Sequence, residues 1–332
     1  MKKVSIKDVA KLSGVSISTV SRVLTGSAPV SKELMEKVIK AVQELGYSPS
    51  SIARSLRNGT TKTIGFILPD ITNPFFAHIV RGAEDYLRKH GYTLIFGSSD
   101  QGKNEENHLL DVLLSKHIDG LLFTGSGDSN PKLLRKIEQG LKVVFLDRII
   151  RGVNSSYVIV DNKKGINLLL DHLIENGHKS FLFVNGDKNT FSAKQRQIAF
   201  MERMKSGRYK HEHYFTGFSY EAGYNFASQF SDILEFDAIL CGNDLIAFGV
   251  IDALEEKGIH VPEQISVTGF DDIPFSKHYK PALTTVRQPM YEMGQKASEL
   301  LLLMIKEQLS TAEGIILNPE LVVRESTRRS QI

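Results

Sequence analysis

Only one of the 332 residues is a cysteine, Cys241, and a single thiol cannot build a disulfide framework within the chain. No apolar run is long enough to cross a bilayer, and the N-terminal segment MKKVSIKDVAKLSG turns polar too early for a signal peptide. Hydrophobic residues make up 41% and charged residues 24% of the chain, which is typical of a protein with a buried core. We therefore expect a folded cytoplasmic protein that makes no membrane contact.

The motifs of common enzyme classes are also missing. The sequence has no P-loop and no G-x-S-x-G, and Gly125-Ser126-Gly127 is too short for a dinucleotide fingerprint. Cys241 has no matching base, which makes it a poor nucleophile. His211 and His213 alternate on a possible strand and could face one metal ion, although two surface histidines are far commoner. We expect no catalytic residue, no cofactor and no metal site.

Charge is unevenly divided along the chain. Residues 1–60 hold ten lysine and arginine residues against four acids, a net charge of +6, whereas the rest holds 31 against 34, a net charge of −3. A basic head on a mildly acidic body indicates a polyanionic partner for the head alone. A solvated charged surface would give the same count, so charge by itself does not decide between the two.

The basic head has the pattern of a helix-turn-helix. Ser5-Ile6-Lys7-Asp8 is a capping box that starts a first helix, and Gly14 breaks it. Ser16 can cap a second helix over 17–24, and apolar spacing predicts a third helix over 31–45. Two short helices joined by a glycine-bearing turn, closed by a third, form a small DNA-binding unit.

In such a unit the start of the second helix reaches base edges in the major groove. Arginine can bond guanine at two points, and an apolar side chain can meet a thymine methyl group. Small helical pairs also occur as plain structural elements, but the capping box, glycine turn, basic excess and third helix coincide here. We predict DNA contacts at Ser5, Ile17, Ser18, Thr19 and Arg22.

Between the head and the body lies the segment SPSSIARSLRNG, residues 48–59, where a linker would be expected. Its sequence pattern is that of a very short helix, with proline just inside the start and glycine just past the end. Ile52 and Leu56 share one face, while Arg54 and Arg57 carry charge. A helix this short is marginal in water, so we expect it to be disordered in the free protein and helical on DNA.

The sequence pattern of the body, the part of the chain that follows the hinge, predicts two parallel sheets. Apolar runs from Thr63 onward alternate with amphipathic helical stretches, first through KVVFLD and then in a second series through ISVTGF. Continuous apolar strands joined by crossover helices form doubly wound sheets covered on both faces. The fold class is thus an all-α helix-turn-helix head followed by an α/β body of two doubly wound lobes.

Polar and aromatic residues follow these strands. Ligands of open parallel sheets bind beyond the carboxyl ends of the strands, so the following residues mark a candidate site. Each one alone can also be a helix cap or a core aromatic, but they recur in both series. These positions are Asp70 to Phe76, Asp100, Asp147-Arg148, Asp161, Phe218, Asn243-Asp244 and Asp271-Asp272.

The segments IKDVAKLSGVSISTVSRVL and LGYSPSSIARSLR together resemble the head and hinge of the LacI/GalR family of bacterial transcription regulators. The body is similar to the periplasmic sugar-binding fold that this family uses as its effector domain, and is most similar to ribose repressors and ribose-binding proteins. The resemblance implies a homodimer on a palindromic double-stranded operator. It also implies that Leu56 wedges into the minor groove, with Ser55 and Arg57 beside it.

The resemblance further implies the domain boundaries. A DNA-binding domain occupies 1–47, a hinge 48–60 and a sugar-binding and dimerisation domain 61–332. Within the last, one lobe takes 61–161 and 289–320, and the other takes 162–288 and 321–332.

A set of sugar contacts carries over from the same resemblance, and every position is filled by the expected residue type. Aromatic faces stack on a sugar ring, while carboxylates, amides and guanidinium groups bond paired hydroxyls. A purine pocket would need fewer such donors. The set is Asn73, Phe75, Phe76, Asp147, Arg148, Arg196, Phe218, Asn243, Asp271 and Gln288.

The sequence thus predicts a repressor controlled by a small sugar, with ribose as the expected effector. Three alternatives stay open: a regulator of another sugar, one that uses a protein co-repressor, and a sugar-binding transport receptor. The sequence does not fix the sign of the response, and induction follows only from the resemblance.

Replacing the predicted wedge tests the hinge assignment. Leu56→Ala should weaken operator binding, because the side chain that offsets unstacking is lost, and should leave sugar affinity unchanged. Operator titration and sugar calorimetry on the same preparation measure both quantities. A large change in sugar affinity would count against the assignment.

Overall fold

The computed structural model describes residues 4–25, 28–47, 60–100, 102–127, 129–150, 154–205 and 207–328. The predicted hinge contacts Ser55, Leu56 and Arg57 lie outside these ranges. The chain divides into two compact units, Met1–Thr61 and Lys62–Ile332, which are taken in turn. Among the described residues, no helix is both long and apolar enough to span a membrane.

The described residues of the first unit form three helices, α1 (Ile6–Ser13), α2 (Ile17–Thr25) and α3 (Lys32–Glu44). Gly14 ends α1 in the left-handed region at φ 67°, and the Ser16 hydroxyl accepts the Thr19 amide at 3.1 Å to start α2. Val9, Val20 and Val38, one from each helix, are fully buried at the centre. The predicted helix-turn-helix core is confirmed.

The first lobe of the second unit is built on a six-stranded, all-parallel sheet with the order β11-β5-β4-β3-β1-β2, in which β11 is the late strand Gly314–Leu317. Its inner strands are almost entirely buried apolar residues, as expected when helices cover both faces. The elements are β1 (Thr63–Leu68), α4 (Pro74–Lys89), β2 (Thr93–Ser98), α5 (Lys103–Ser115), β3 (Gly120–Phe123), α6 (Pro131–Glu138), β4 (Val143–Leu146) and β5 (Ser156–Val160).

The second lobe repeats this construction with the order β12-β10-β9-β8-β6-β7, in which only β12 is antiparallel to its neighbour. The elements up to the last helix of this lobe are α7 (Asn162–Glu175), β6 (Ser180–Asn185), α8 (Phe191–Met204), β7 (Lys210–Phe215), α9 (Tyr220–Gln229), β8 (Ala238–Cys241) and α10 (Asp244–Glu256). The last elements of the chain are β9 (Ser266–Asp271), β10 (Thr284–Arg287), α11 (Met290–Ile305), β11 (Gly314–Leu317) and β12 (Glu320–Val322). The predicted fold class is confirmed.

The chain passes between the lobes three times. It leaves the first lobe between β5 and α7, returns between β10 and α11, and crosses again between β11 and β12. Each crossing is short, so the lobes are joined by three strand-end segments rather than by one linker. Hinge bending at such segments is one of the common ways in which two lobes close around a ligand.

Glycines allow two helices of the first lobe to cross at backbone contact. A Cβ added to Gly82 of α4 would lie 2.0 Å from the carbonyl oxygen of Tyr291, and one added to Gly294 of α11 would lie 2.0 Å from that of Ile79. Only glycine has no atom at this position. The α4–α11 crossing therefore depends on a reciprocal glycine pair.

The second lobe uses the same solution where α9 crosses α10. Added Cβ atoms at Gly223 and Gly249 would lie 2.2 Å from the Ile246 oxygen and 2.1 Å from the Tyr220 oxygen. The two lobes thus share their helix packing as well as their sheet topology.

Gly82→Ala should lower the free energy of unfolding of the two-lobe unit by roughly 1–3 kcal/mol, because the new methyl group forces the helices apart. Thermal denaturation measures the loss. Gly217→Ala is the control, since its Cβ would lie at an ordinary 3.6 Å from Ala222. Equal melting temperatures for the two variants would contradict the tight crossing.

Candidate functional site

A small cavity lies at the carboxyl ends of the strands of both lobes. Its lining is Pro69, Asp70, Asn73, Phe75, Phe76, Asp147, Arg148, Ser192, Arg196, Phe218, Asn243, Asp271 and Gln288. All ten residues of the predicted sugar-contact set lie in this one lining.

Three lining residues were outside that set. Pro69 and Asp70 follow β1 directly, so the strand-end rule indicates them, and Asp70 stands among the strand-end positions. Ser192 lies in the first turn of α8, four residues before Arg196. That spacing places both on one helix face, which is the signal that could have found it.

The start of α4 supplies an amide and two rings. The Asn73 side-chain oxygen accepts the Phe75 amide at 3.0 Å and caps the helix, which leaves its NH₂ group for other partners. Phe75 and Phe76 meet edge to face, with ring centroids 5.0 Å apart and an interplanar angle of 78°. Both rings also belong to the apolar core, so the core fixes their orientation at the cavity.

Asp147 and Arg148 follow β4 and are 3% and 4% exposed. The Arg148 Nε donates to the Asp147 carboxylate at 3.3 Å, and its Nη1 donates to the Gly125 carbonyl at 2.8 Å. Burial raises the pKa of Asp147 and lowers the pKa of Arg148, while their mutual attraction opposes both shifts. The guanidinium carbon lies 5.7 Å from the Phe218 ring centroid, so this first-lobe cation contacts a second-lobe aromatic.

Arg196 on α8 is the second buried cation. Its Nε donates to the Asn162 side chain at 2.7 Å, its Nη1 donates to the Gly242 carbonyl, and its guanidinium carbon lies 3.7 Å from the Phe270 ring centroid. Burial lowers its pKa, and the nearby Asp271 carboxylate opposes the shift. These two bonds use two of the five N–H donors of an arginine.

The second lobe completes the polar lining. Asn243 caps α10, with its oxygen accepting the Ile246 amide at 2.9 Å and its NH₂ donating to the Phe218 carbonyl at 3.3 Å. The Gln288 amide donates to Asp271 at 2.7 Å, and within the described parts of the chain its Oε1 is buried without a partner. An unpaired buried acceptor costs about 1–3 kcal/mol, which a hydroxyl donor from a ligand would recover.

Backbone strain accompanies two of these positions. Asp147 has φ 59° and Asp271 has φ 123°, in regions that non-glycine residues rarely adopt. Such residues persist only where the surroundings hold them, and they cluster at binding sites. Burial also raises the pKa of Asp271 well above its usual range, with Arg196 opposing the rise.

The signs of charge in the cavity nearly balance. Two buried arginines face two buried aspartates, and Asp70 at the edge is half-buried. A phosphate or carboxylate ligand would find no surplus of positive charge, whereas an uncharged ligand with several hydroxyl groups could bond both kinds of group. A neutral polar ligand with an apolar face would match these groups.

The head presents the predicted DNA-contact face. Ser5, Ile17, Ser18 and Arg22 are exposed, and Thr19 is half-buried. Ile17 is an apolar side chain 44% exposed at the start of α2, where a base-edge contact would cover it. Ser5 also takes part in the capping box, because the Asp8 carboxylate accepts its amide at 2.8 Å and its hydroxyl at 2.7 Å.

A helix-turn-helix head joined to a two-lobe unit with a polar cavity between its lobes defines a ligand-responsive DNA-binding regulator. Comparison with known protein families supports the same class. Residues 5–50 match the model described as bacterial regulatory proteins, lacI family, and residues 170–327 match that of the periplasmic binding protein-like domain.

Curated relatives cover nearly the whole chain. The regulator RegA of Clostridium saccharobutylicum is 37% identical, over 97% of this chain and 99% of its own. The ribose operon repressor of Bacillus subtilis (strain 168) is 35% identical and the repressor PurR of Aliivibrio salmonicida (strain LFI1238) is 34% identical, each over 98% of this chain and 99% of its own. The chain belongs to the LacI family of bacterial regulatory proteins and is a DNA-binding transcriptional repressor.

Solved structures give the same result. The lac repressor dimer bound to operator and the anti-inducer ONPF superposes with a TM-score of 0.87 at 26% identity, over 98% of this chain and 99% of that one. A LacI family regulator from Enterococcus faecalis V583 with bound ribose superposes with a TM-score of 0.73 at 32% identity, over 80% of this chain and 99% of that one.

Arg22→Ala should weaken operator binding by about 1–3 kcal/mol, because the exposed guanidinium group can no longer pair with a base edge. Titration of labelled operator at fixed salt measures the loss. Lys37→Ala is the control, since Lys37 lies on α3 and pairs with Glu33 at 2.7 Å. Equal losses for both variants would reduce Arg22 to a general charge contribution.

Proposed function

We propose that this repressor is controlled by an uncharged sugar, with D-ribose as the effector, and that ribose induces a ribose uptake and utilisation operon. One observation carries the proposal: two buried arginines and two buried aspartates lie with three phenylalanine rings in one cavity lining. Ring faces and paired hydrogen bonds are the two features that sugar recognition needs.

The unpaired acceptor of Gln288 adds selectivity to this set. A ligand that places a hydroxyl there recovers the lost bond, and an analogue without that hydroxyl leaves the acceptor unpaired. The ribose operon repressor of Bacillus subtilis and the ribose-bound regulator of Enterococcus faecalis support the same choice of sugar. PurR and RegA match this chain about as well, so relatedness alone does not select the effector.

We further infer that the protein acts as a homodimer on a palindromic operator. A twofold protein presents two heads to two half-sites, and sugar in the cavity changes the relative setting of the lobes and hence of the hinges. If ribose lowers operator affinity by about 10- to 100-fold, the coupling free energy is about 1.4–2.7 kcal/mol, an ordinary allosteric magnitude.

A panel of ribose, other pentoses, hexoses and a purine base, titrated by calorimetry, tests the effector assignment. Ribose should bind with the highest affinity and should lower operator affinity when binding is repeated at fixed salt. Absence of ribose binding at millimolar concentration removes the assignment. Increased operator affinity on ribose binding would make it a co-repressor.

Arg196→Ala should abolish the response to ribose and leave operator affinity nearly intact, because the cavity loses its central donor while the head is untouched. Arg203→Ala is the matched control, since Arg203 lies on the same helix but is exposed and pairs with Asp171. Operator titration with and without ribose, alongside melting temperatures, measures the effect. Equal loss of sugar response and operator affinity would indicate misfolding or a wrong pocket.

A further inference from the structure

A buried acid behind the cavity has no part in the contact set described so far. Asp244 is the first residue of α10 and is 0% exposed, yet it is not among the residues that line the cavity. Within the described ranges, it forms no ion pair with a lysine, arginine or histidine. A buried carboxyl group costs desolvation free energy that an apolar side chain would not, so its bonds rather than its packing explain its presence.

Three donors converge on the Asp244 carboxyl group. Its Oδ2 accepts the Ile273 amide at 2.9 Å and the Ser276 hydroxyl at 2.6 Å, and its Oδ1 accepts the Thr285 hydroxyl at 2.5 Å. Ser276 and Thr285 are also fully buried. Burial raises the pKa of Asp244 to about 7, and these three bonds oppose the rise.

Asp244 and two of its three partners lie one to three residues from a cavity residue, and Ser276 lies five residues after Asp271. Asp244 itself follows Asn243, Ile273 lies two residues after Asp271, and Thr285 lies three residues before Gln288. The carboxyl group therefore joins three separate segments that each deliver one polar group to the cavity.

Two further observations show that this arrangement is tightly specified. A Cβ added to Gly269 of β9 would lie 2.2 Å from the Asp244 Oδ1. Only glycine at this position leaves room for the carboxylate. Asp271 and Asp272 both have positive φ, at 123° and 57°, and this backbone conformation persists only where contacts from other segments stabilise it. The hydrogen bond from the Ile273 amide to Asp244 lies directly after them and is one such contact.

Resting on the proposed function, we propose that Asp244 is a positioning residue for the sugar site: through Ile273, Ser276 and Thr285 it holds Asp271 and Gln288 at the spacing that sugar hydroxyls require. It does not touch the sugar. Its role is to keep the second-lobe half of the site in the binding geometry before the ligand arrives, which reduces the ordering cost of binding.

Thr285 provides a matched pair of variants. Thr285→Val keeps the shape of the side chain and removes the hydroxyl, whereas Thr285→Ser keeps the hydroxyl. Thr285→Val should weaken ribose binding by about tenfold and Thr285→Ser by less than about threefold, because only the first loses a buried hydrogen bond.

Substitution of the acid itself gives a second pair. Asp244→Asn can still accept from Ile273 and Ser276 and can donate to the Thr285 hydroxyl, so it should retain ribose affinity within about threefold. Asp244→Leu loses all three bonds and should bind ribose at least about 30-fold more weakly. Asp252→Asn is the control, because Asp252 lies on the same helix and accepts bonds from Tyr220 and Tyr279, neither of which lines the cavity.

A readout without ligand separates this proposal from the choice of sugar. In protein labelled with ¹⁵N-glutamine, NMR follows hydrogen exchange of the Gln288 side-chain amide, which donates to Asp271. Exchange should be slow in the wild type, Thr285→Ser, Asp244→Asn and Asp252→Asn, and faster in Thr285→Val and Asp244→Leu. If the wild type binds no ribose, the proposed function fails and this comparison alone decides the role of Asp244.

Three results would overturn the positioning role. One is Thr285→Val with wild-type exchange at Gln288, whatever its ribose affinity. Another is an equal effect of Asp252→Asn, which would reduce the result to general destabilisation of α10. The third is failure of the two conservative variants to restore slow exchange.

Discussion

Two arginines and two aspartates buried between the lobes are the constraint around which this protein is arranged. None of the four could be buried alone, because an isolated charge in a protein interior costs far more than a fold can supply. Asp147 pairs with Arg148 directly, and Arg196 is held by neutral oxygens and by the face of Phe270, with Asp271 acting on it electrostatically. Protein groups therefore take the place of water around these four charges, and the same contacts fix the geometry of the site before a ligand binds.

That geometry is delivered by strand ends. The carboxyl ends of parallel strands gather at one edge of each sheet, and the two sheets turn those edges toward a common cavity. The same strand ends continue into the segments that cross between lobes, as Gln288 does immediately after β10. A ligand that pulls on these side chains thus acts next to the points where the lobes bend.

Much of this could be predicted from sequence because the signals are local. Capping residues, the glycine turn and apolar periodicity define the head, and continuous apolar runs define the inner strands. The sugar-contact residues come together as the resemblance implies, and their function as contacts stays a prediction. Each end of α3 differs from the expected bounds by only one residue.

The rest depends on contacts between distant residues. Strands β10 to β12 have only three or four residues each, and β11 alternates between exposed and half-buried positions, so their apolar residues do not mark long buried strands. Ser192 shares a helix face with Arg196, but the packing of α8 is what brings that face to the cavity. Asp244 was one strand-end residue among many in the sequence, and its significance follows from partners 29 to 41 positions away.

The reciprocal glycines at the helix crossings also bear on how a signal leaves the cavity. Helices in backbone contact leave little free volume for internal rearrangement, so each lobe behaves as a stiff block with low compressibility. A displacement that the ligand causes at one wall of the cavity is then not absorbed by rearrangement inside the lobe. It rotates the whole lobe about the segments that cross between the lobes. Replacing Gly82 or Gly223 with a larger residue would make its lobe more flexible. The sugar could still bind, but less of its binding free energy would be converted into a change in operator affinity.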